Sequence, residues 1–158
     1  ERYSAPLIRE SGVFVINLTN SPLVKAADFC GVRSGKNVDK FAEMKLTAKP
    51  GPATGCPMIA ESPLSMECRV ADIIPMGSHD MFLADIVSVL VDSAYLDKAG
   101  KLHLDRCGLV AYAHGEYFEL GRKLGSFGFS VRKKPLPAKK GRAQSKRKPA
   151  LKKRGVKR

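Results

Sequence analysis

Three stretches of this 158-residue chain have residue types and spacing that could do chemistry. The segment CGVRSGK, 30–36, sets Gly31 and Gly35 where backbone can approach a ligand, beside Arg33, Lys36 and the Ser34 hydroxyl. Loops of that make hold anions such as phosphate, although Gly and Ser serve a plain turn equally well. Lys40, in NVDKF, is a cation at the start of a short helical pattern, where a lysine ordinarily faces solvent. His79, in GSHD, stands where a turn feeds a long apolar run. It can donate to a negative group, or cap that turn locally with Asp80.

The remaining chemistry-bearing residues are less organised. Tyr112, in VAYAHGEY, reads as a strand aromatic, usually core. His103 and His114 have no partner at ligand spacing. Cys30, Cys56, Cys68 and Cys107 form no CxxC pair, so neither a zinc knuckle nor a disulfide framework is indicated, and reduced, mostly buried thiols of a cytoplasmic protein are expected. No HExxH, GxSxG or GxxxxGK[ST] stretch occurs, and Gly121, Gly125 and Gly128 do not make GxGxxG. No metal site and no dedicated catalytic acid or base are nominated.

Charge divides the chain. Residues 132–158 hold 14 of the 28 Lys and Arg and none of the 15 Asp and Glu, which leaves residues 1–131 with 14 basic against 15 acidic side chains, a net −1. That tail is rich in Lys, Arg and Pro and poor in large apolar side chains, so disorder is expected, with a domain boundary after Val131. A free polycation binds nucleic-acid phosphates in a salt-dependent, non-specific way, or else it is a solvated extension. No run of about 18 apolar residues is present, so no membrane-spanning helix is expected.

The elements that must position these residues follow from pattern. Residues 4–10 read as a short helix, and the β-branched run 12–18 as a buried strand. A helix follows with Ser21 as N-cap, Pro22 at its first position and Gly31 just past its end. Asn37 is expected to cap a second short helix reaching Met44. Residues 47–56 read as a loop and 57–61 as a brief strand. Alternation at 66–74 marks a half-exposed strand, joined through 75–80 to a longer, more buried one at 81–91. Residues 95–104 suggest a hairpin or loop, and 108–120 a short strand, a break at Gly115 and a second short segment. Antiparallel strands with two outer helices and no βα rhythm predict a mainly β fold, an antiparallel barrel with helical additions.

In that order and spacing, RYS, FVINL, KAADFCGVRSGKNVDKF, GSHDMFLADIV and LGSFGFSV together resemble the flavin reductase-like family, FMN-binding split barrels that include the flavoredoxins. The resemblance covers residues 1 to about 133. It implies an antiparallel split β-barrel with short flanking helices, whose first strands would precede Arg2, and FMN, in preference to FAD, as cofactor. It also implies a site in which Lys40 and His79 meet the flavin's polar edge, where negative charge grows as the ring takes a hydride. Ser4 would bond the ring or ribityl chain, with Arg2 at the phosphate. Cys30, Gly31, Ser34, Gly35 and Lys36 would cradle the phosphate, and Tyr112 would pack on the ring.

The implied activity is hydride transfer from NAD(P)H to flavin and on to an acceptor that the sequence does not identify, in a homodimer with flavin sites near the subunit interface. Two rivals stand beside it. One is an FMN electron carrier that does not turn over NAD(P)H. The other is a nucleic-acid-binding protein acting through the tail, 133–158.

Overall fold

The computed structural model of the chain describes residues 2–132, and antiparallel strands dominate it. The chain divides after Lys123; of the second unit, described residues reach only Arg132 and end in a single helical turn, Phe129–Val131. Beyond Arg132, the expectation of a disordered basic tail falls outside the described residues.

Helix α1, Ser4–Ser11, stops at Gly12, whose φ of 68° is readily adopted by glycine, and the chain turns directly into strand β1, Val13–Asn17. β1 pairs antiparallel with β4, Leu64–Pro75, and β4 pairs with β5, Asp80–Val91, giving a three-stranded sheet in the order β1-β4-β5. Bulges at Glu67/Cys68 and Val70/Asp72 break the β4–β5 register and bend the long ribbon.

Between β1 and β4 lie two helices and a small hairpin. The expected Ser21 cap is corrected: Asn20 caps, its Oδ1 accepting from the Leu23 N–H at 3.3 Å, while the Ser21 N–H and hydroxyl donate to the Gly108 carbonyl. A single 3₁₀ turn, Ser21–Leu23, then leads into α2, Val24–Val32. Gly31 is not the residue past the helix end; it lies inside α2, which closes on Arg33 with extended backbone and needs no left-handed residue. Asp39, not Asn37, caps α3, Lys40–Met44, accepting from the Phe41 and Ala42 N–H groups, while the Asn37 N–H closes a turn on Ser34. The expected loop 47–56 contains β2, Ala48–Pro50, paired with β3, Pro57–Ile59.

The β2–β3 connection wraps a buried carboxylate. Glu67 is fully buried and accepts from the Ala53 and Thr54 N–H groups and from the Thr54 hydroxyl at 2.7 Å. Burial alone would favour the neutral acid, but the bonds from Thr54 and Ala53 prevail and hold the carboxyl below its ordinary range. A Cβ at Gly51 would collide with that carboxylate.

β5 is less buried than its apolar run suggests. Met81, Leu83, Ile86, Val87 and Val89 are exposed, because β5 has β4 as its only strand neighbour among the described residues and nothing described covers that face. The Tyr95–Leu104 region forms a short hairpin bridged at Leu96 and Leu102, with Asp97 accepting from the Ala99 and Lys101 N–H groups and paired with His103 Nε2 at 3.0 Å. Strands β6, Val110–Ala113, and β7, Glu116–Glu119, meet in a tight turn where His114 and Gly115 both have positive φ. All four cysteines are free thiols; Cys68 and Cys107 are buried, Cys30 and Cys56 half-buried.

Candidate functional site

A cavity of about 700 Å³ opens between the start of α1 and the α2–α3 connection. Arg2, Tyr3, Ser4 and Leu7 form one wall; Cys30 and Gly31 at the end of α2, then Arg33, Ser34 and Gly35, form the next; Lys40 and Phe41 at the start of α3 close it.

The end of α2 organises the charge here. The last carbonyls of a helix lack intrahelical partners and carry the negative end of its dipole. The Lys40 ammonium donates to the Cys30 carbonyl at 2.7 Å, and the Arg2 guanidinium donates to the Gly31 carbonyl at 3.0 Å. Two cations are thereby fixed at the cavity wall with Arg33 beside them, against Asp39 as the one acidic lining residue, whose carboxylate is occupied in capping α3. The Ser34 hydroxyl accepts from the Lys36 N–H at 3.3 Å, shaping the turn, and its own proton is available to donate.

Eight of the residues singled out from the sequence therefore line one space: Arg2, Ser4, Cys30, Gly31, Arg33, Ser34, Gly35 and Lys40. Lys36 belongs to the same turn but not to the wall. His79 lies at the β4–β5 turn, its Nδ1 2.9 Å from the Ser78 hydroxyl and its carbonyl accepting from Met76 N–H. Tyr112 lies on β6 against Tyr117, ring centroids 4.9 Å apart. Neither lines the cavity. The GSHD turn is nonetheless tied to α1, since Asp80 accepts from Arg9 at 2.5 Å and the Arg9 guanidinium lies 5.8 Å from the centre of the Phe82 ring.

Cys30 and Gly31 contribute differently from the expected amide cradle. Inside α2 their N–H groups are spent on the helix, and what they present is carbonyl oxygen that anchors cations. Tyr3 and Phe41 were missed as aromatic walls. The signal for Tyr3 was its place in RYS beside two nominated residues; that for Phe41 was adjacency to Lys40 on one turn of α3.

The donor set suits a phosphorylated, planar ligand. Arg2, Arg33, Lys40 and Ser34 match anionic oxygens, and Tyr3 and Phe41 match a ring face. A Cβ at Gly31 would meet no protein atom within 4 Å, so its absence leaves room at the wall. Among the described residues no three His, Cys, Asp or Glu gather as metal ligands, and no helix is long and apolar enough to cross a membrane.

Comparison with known proteins agrees with this architecture. The flavin reductase like domain family matches residues 1–121. Flavoredoxin of Desulfovibrio vulgaris (Miyazaki F) superposes with a TM-score of 0.76 at 30% identity, over 83% of this chain and 71% of that one. A protein of Aeropyrum pernix is 39% identical over 90 residues, 56% of this chain and 34% of its own length. An NADPH-flavin oxidoreductase of Streptomyces viridifaciens is 30% identical over 87 residues, 54% of this chain and 44% of its own. The chain thus spans less than half the length of these two curated relatives. With a mainly antiparallel β fold, a family match over most of its length and a flavoredoxin-like backbone, the chain belongs to the flavin reductase-like family of split barrels.

Proposed function

We propose that this chain holds FMN in the cavity between α1 and the α2–α3 connection and serves an NAD(P)H-dependent flavin reductase. The observation that carries the reading is the convergence of Arg2, Arg33 and Lys40 with the Ser34 hydroxyl and two aromatic rings in one space of flavin size. Bound flavin would accept a hydride from reduced nicotinamide and hand electrons to an acceptor.

The chain's part is to bind and orient. Lys40, held by the Cys30 carbonyl, keeps a positive charge where the flavin's polar edge gains negative charge. Ser4 and Ser34 donate hydrogen bonds, and Arg2 and Arg33 neutralise the phosphate. His79 and Tyr112 remain proposed flavin contacts. In a homodimer with sites near the subunit interface, as the family resemblance implies, they would serve a neighbouring subunit's flavin. The exposed apolar face of β5 supports such pairing.

Steady-state oxidation of NADH and NADPH with catalytic FMN tests the reading. Multiple turnovers support a reductase, whereas a single reduction equivalent supports an electron carrier and overturns the turnover step. The charge of the tail favours a second, separate property, salt-sensitive contact of 133–158 with nucleic acid. Retention on double-stranded DNA at low salt that disappears on deleting 133–158 checks it.

A further inference from the structure

Tyr3 is an aromatic residue at the cavity wall, 45% exposed, in a segment that is tied down. Its neighbour Arg2 donates to the Gly31 carbonyl at the end of α2, and the Arg2 carbonyl accepts from the Ala5 N–H at 3.0 Å as α1 begins. The ring itself lies against bare backbone. A Cβ placed on Gly35 would come 3.2 Å from Tyr3 Cδ1 and 3.7 Å from Cε1, and 3.8 Å from the Lys40 Cε. Gly35 therefore serves as a shelf on which the Tyr3 ring rests beside the Lys40 stem, leaving part of the ring open to the cavity.

A ring backed on one side and wet on the other is placed to stack on a flat ligand, because aromatic pairs gain from offset or tilted contact beyond the area they bury. Tyr112, on β6 against Tyr117, is not part of this wall, so within one subunit it does not compete for the ring. The other aromatic wall, Phe41, is less exposed. We infer that Tyr3 is the ring-contact residue of this cavity, and that it gives the site its preference for a planar aromatic ligand over an aliphatic phosphate. The inference rests on the flavin reading of the same cavity.

The test uses FMN and ribose 5-phosphate with the full chain and the variants Tyr3→Phe and Tyr3→Leu, after circular dichroism has established that both fold. A phenol in contact with an excited flavin quenches it by giving an electron and taking it back, with no net change, and a phenylalanine ring does not. Bound FMN should therefore have a shortened fluorescence lifetime in the wild type and a recovered one in both variants. FMN affinity should hold in Tyr3→Phe and fall about 3- to 10-fold in Tyr3→Leu, while ribose 5-phosphate binds all three alike. A role confined to packing on Gly35 would give Tyr3→Phe the same FMN lifetime as the wild type, and that result overturns the inference while the flavin site stands. Wild type that fails to bind FMN at all overturns the flavin reading, and the inference with it.

Discussion

Replacing Lys40 with Met keeps most of the side-chain volume along Gly35 and removes only the charge, so it isolates what the ammonium does. Two separate losses follow. The first is structural: the Nζ bond to the Cys30 carbonyl at 2.7 Å disappears, while Arg2 still serves Gly31. A charge-assisted bond is worth about 1.5–3 kcal/mol, but water can reach a cavity rim and take over the carbonyl, so the cost to folding is about 1 kcal/mol, or roughly 3–6 °C in Tm for a unit of this size. The second is functional: bound flavin loses a charge-assisted partner outright, about 10- to 150-fold in affinity. Because Lys40 is assigned to the ring's polar edge, riboflavin, which lacks the phosphate, should lose as much as FMN. Fluorescence titration with both ligands and a thermal melt make the comparison. A melt lowered as expected with both affinities unchanged would mean that Lys40 caps α2 and makes no flavin contact.

Gly31→Ala should raise Tm by a few degrees, since Ala is the better helix former and its Cβ meets no protein atom, yet weaken FMN binding several-fold by narrowing the cavity wall. Gly51→Ala should do the reverse, lowering Tm through collision with Glu67 while leaving FMN affinity within about twofold; equal Tm for Gly51→Ala and wild type would contradict the packing around Glu67. The bond from His103 and those from the Lys101 and Ala99 N–H groups hold the Asp97 carboxyl at about 2, below its ordinary 3.8. The stability it contributes is therefore complete above 3.8 and lost as pH falls through about 2; a carboxyl NMR titration with its midpoint near 3.8 would contradict this. Arg9→Gln should loosen the 76–79 turn, raising exchange of the Met76 amide, which donates to the His79 carbonyl, in low salt far more than in high salt, because a half-exposed ion pair is worth at most about 1 kcal/mol and is screened.

Much of this was legible in residue order. The helix that begins at Ser4, the β-branched strand behind it and the break at Gly115 are set by local preference, which sequence carries directly, although Gly12, read as part of that strand, instead closes α1 in the left-handed region. The caps were misplaced by one or two residues because Asn20 beside Ser21, and Asn37 close to Asp39, are competing acceptors: a tertiary partner, Gly108, takes Ser21, and a local turn closed by the Asn37 N–H on Ser34 leaves Asp39 at the helix start. β2 was hidden because Pro50 and Pro57 at the end of its ladder look like loop punctuation, yet proline is tolerated at an edge. The cations of the site were visible in GVRSGK and NVDKF, but their anchoring to carbonyls of α2 was not, since that depends on where the helix ends. Glu67 gave no signal either; a carboxylate in an alternating strand reads as solvent-facing until the 51–56 segment folds over it.

Flavin binding between α1 and the α2–α3 connection can be read residue by residue. An amide NMR titration of the full chain with FMN tests it most directly. Saturable shifts concentrated at Tyr3, Ser4, Ser34, Gly35 and Lys40 are expected, with Lys98 and Gly100, in a hairpin that does not line the cavity, unmoved. Saturable binding whose shifts fall elsewhere and spare all five of those residues would contradict it.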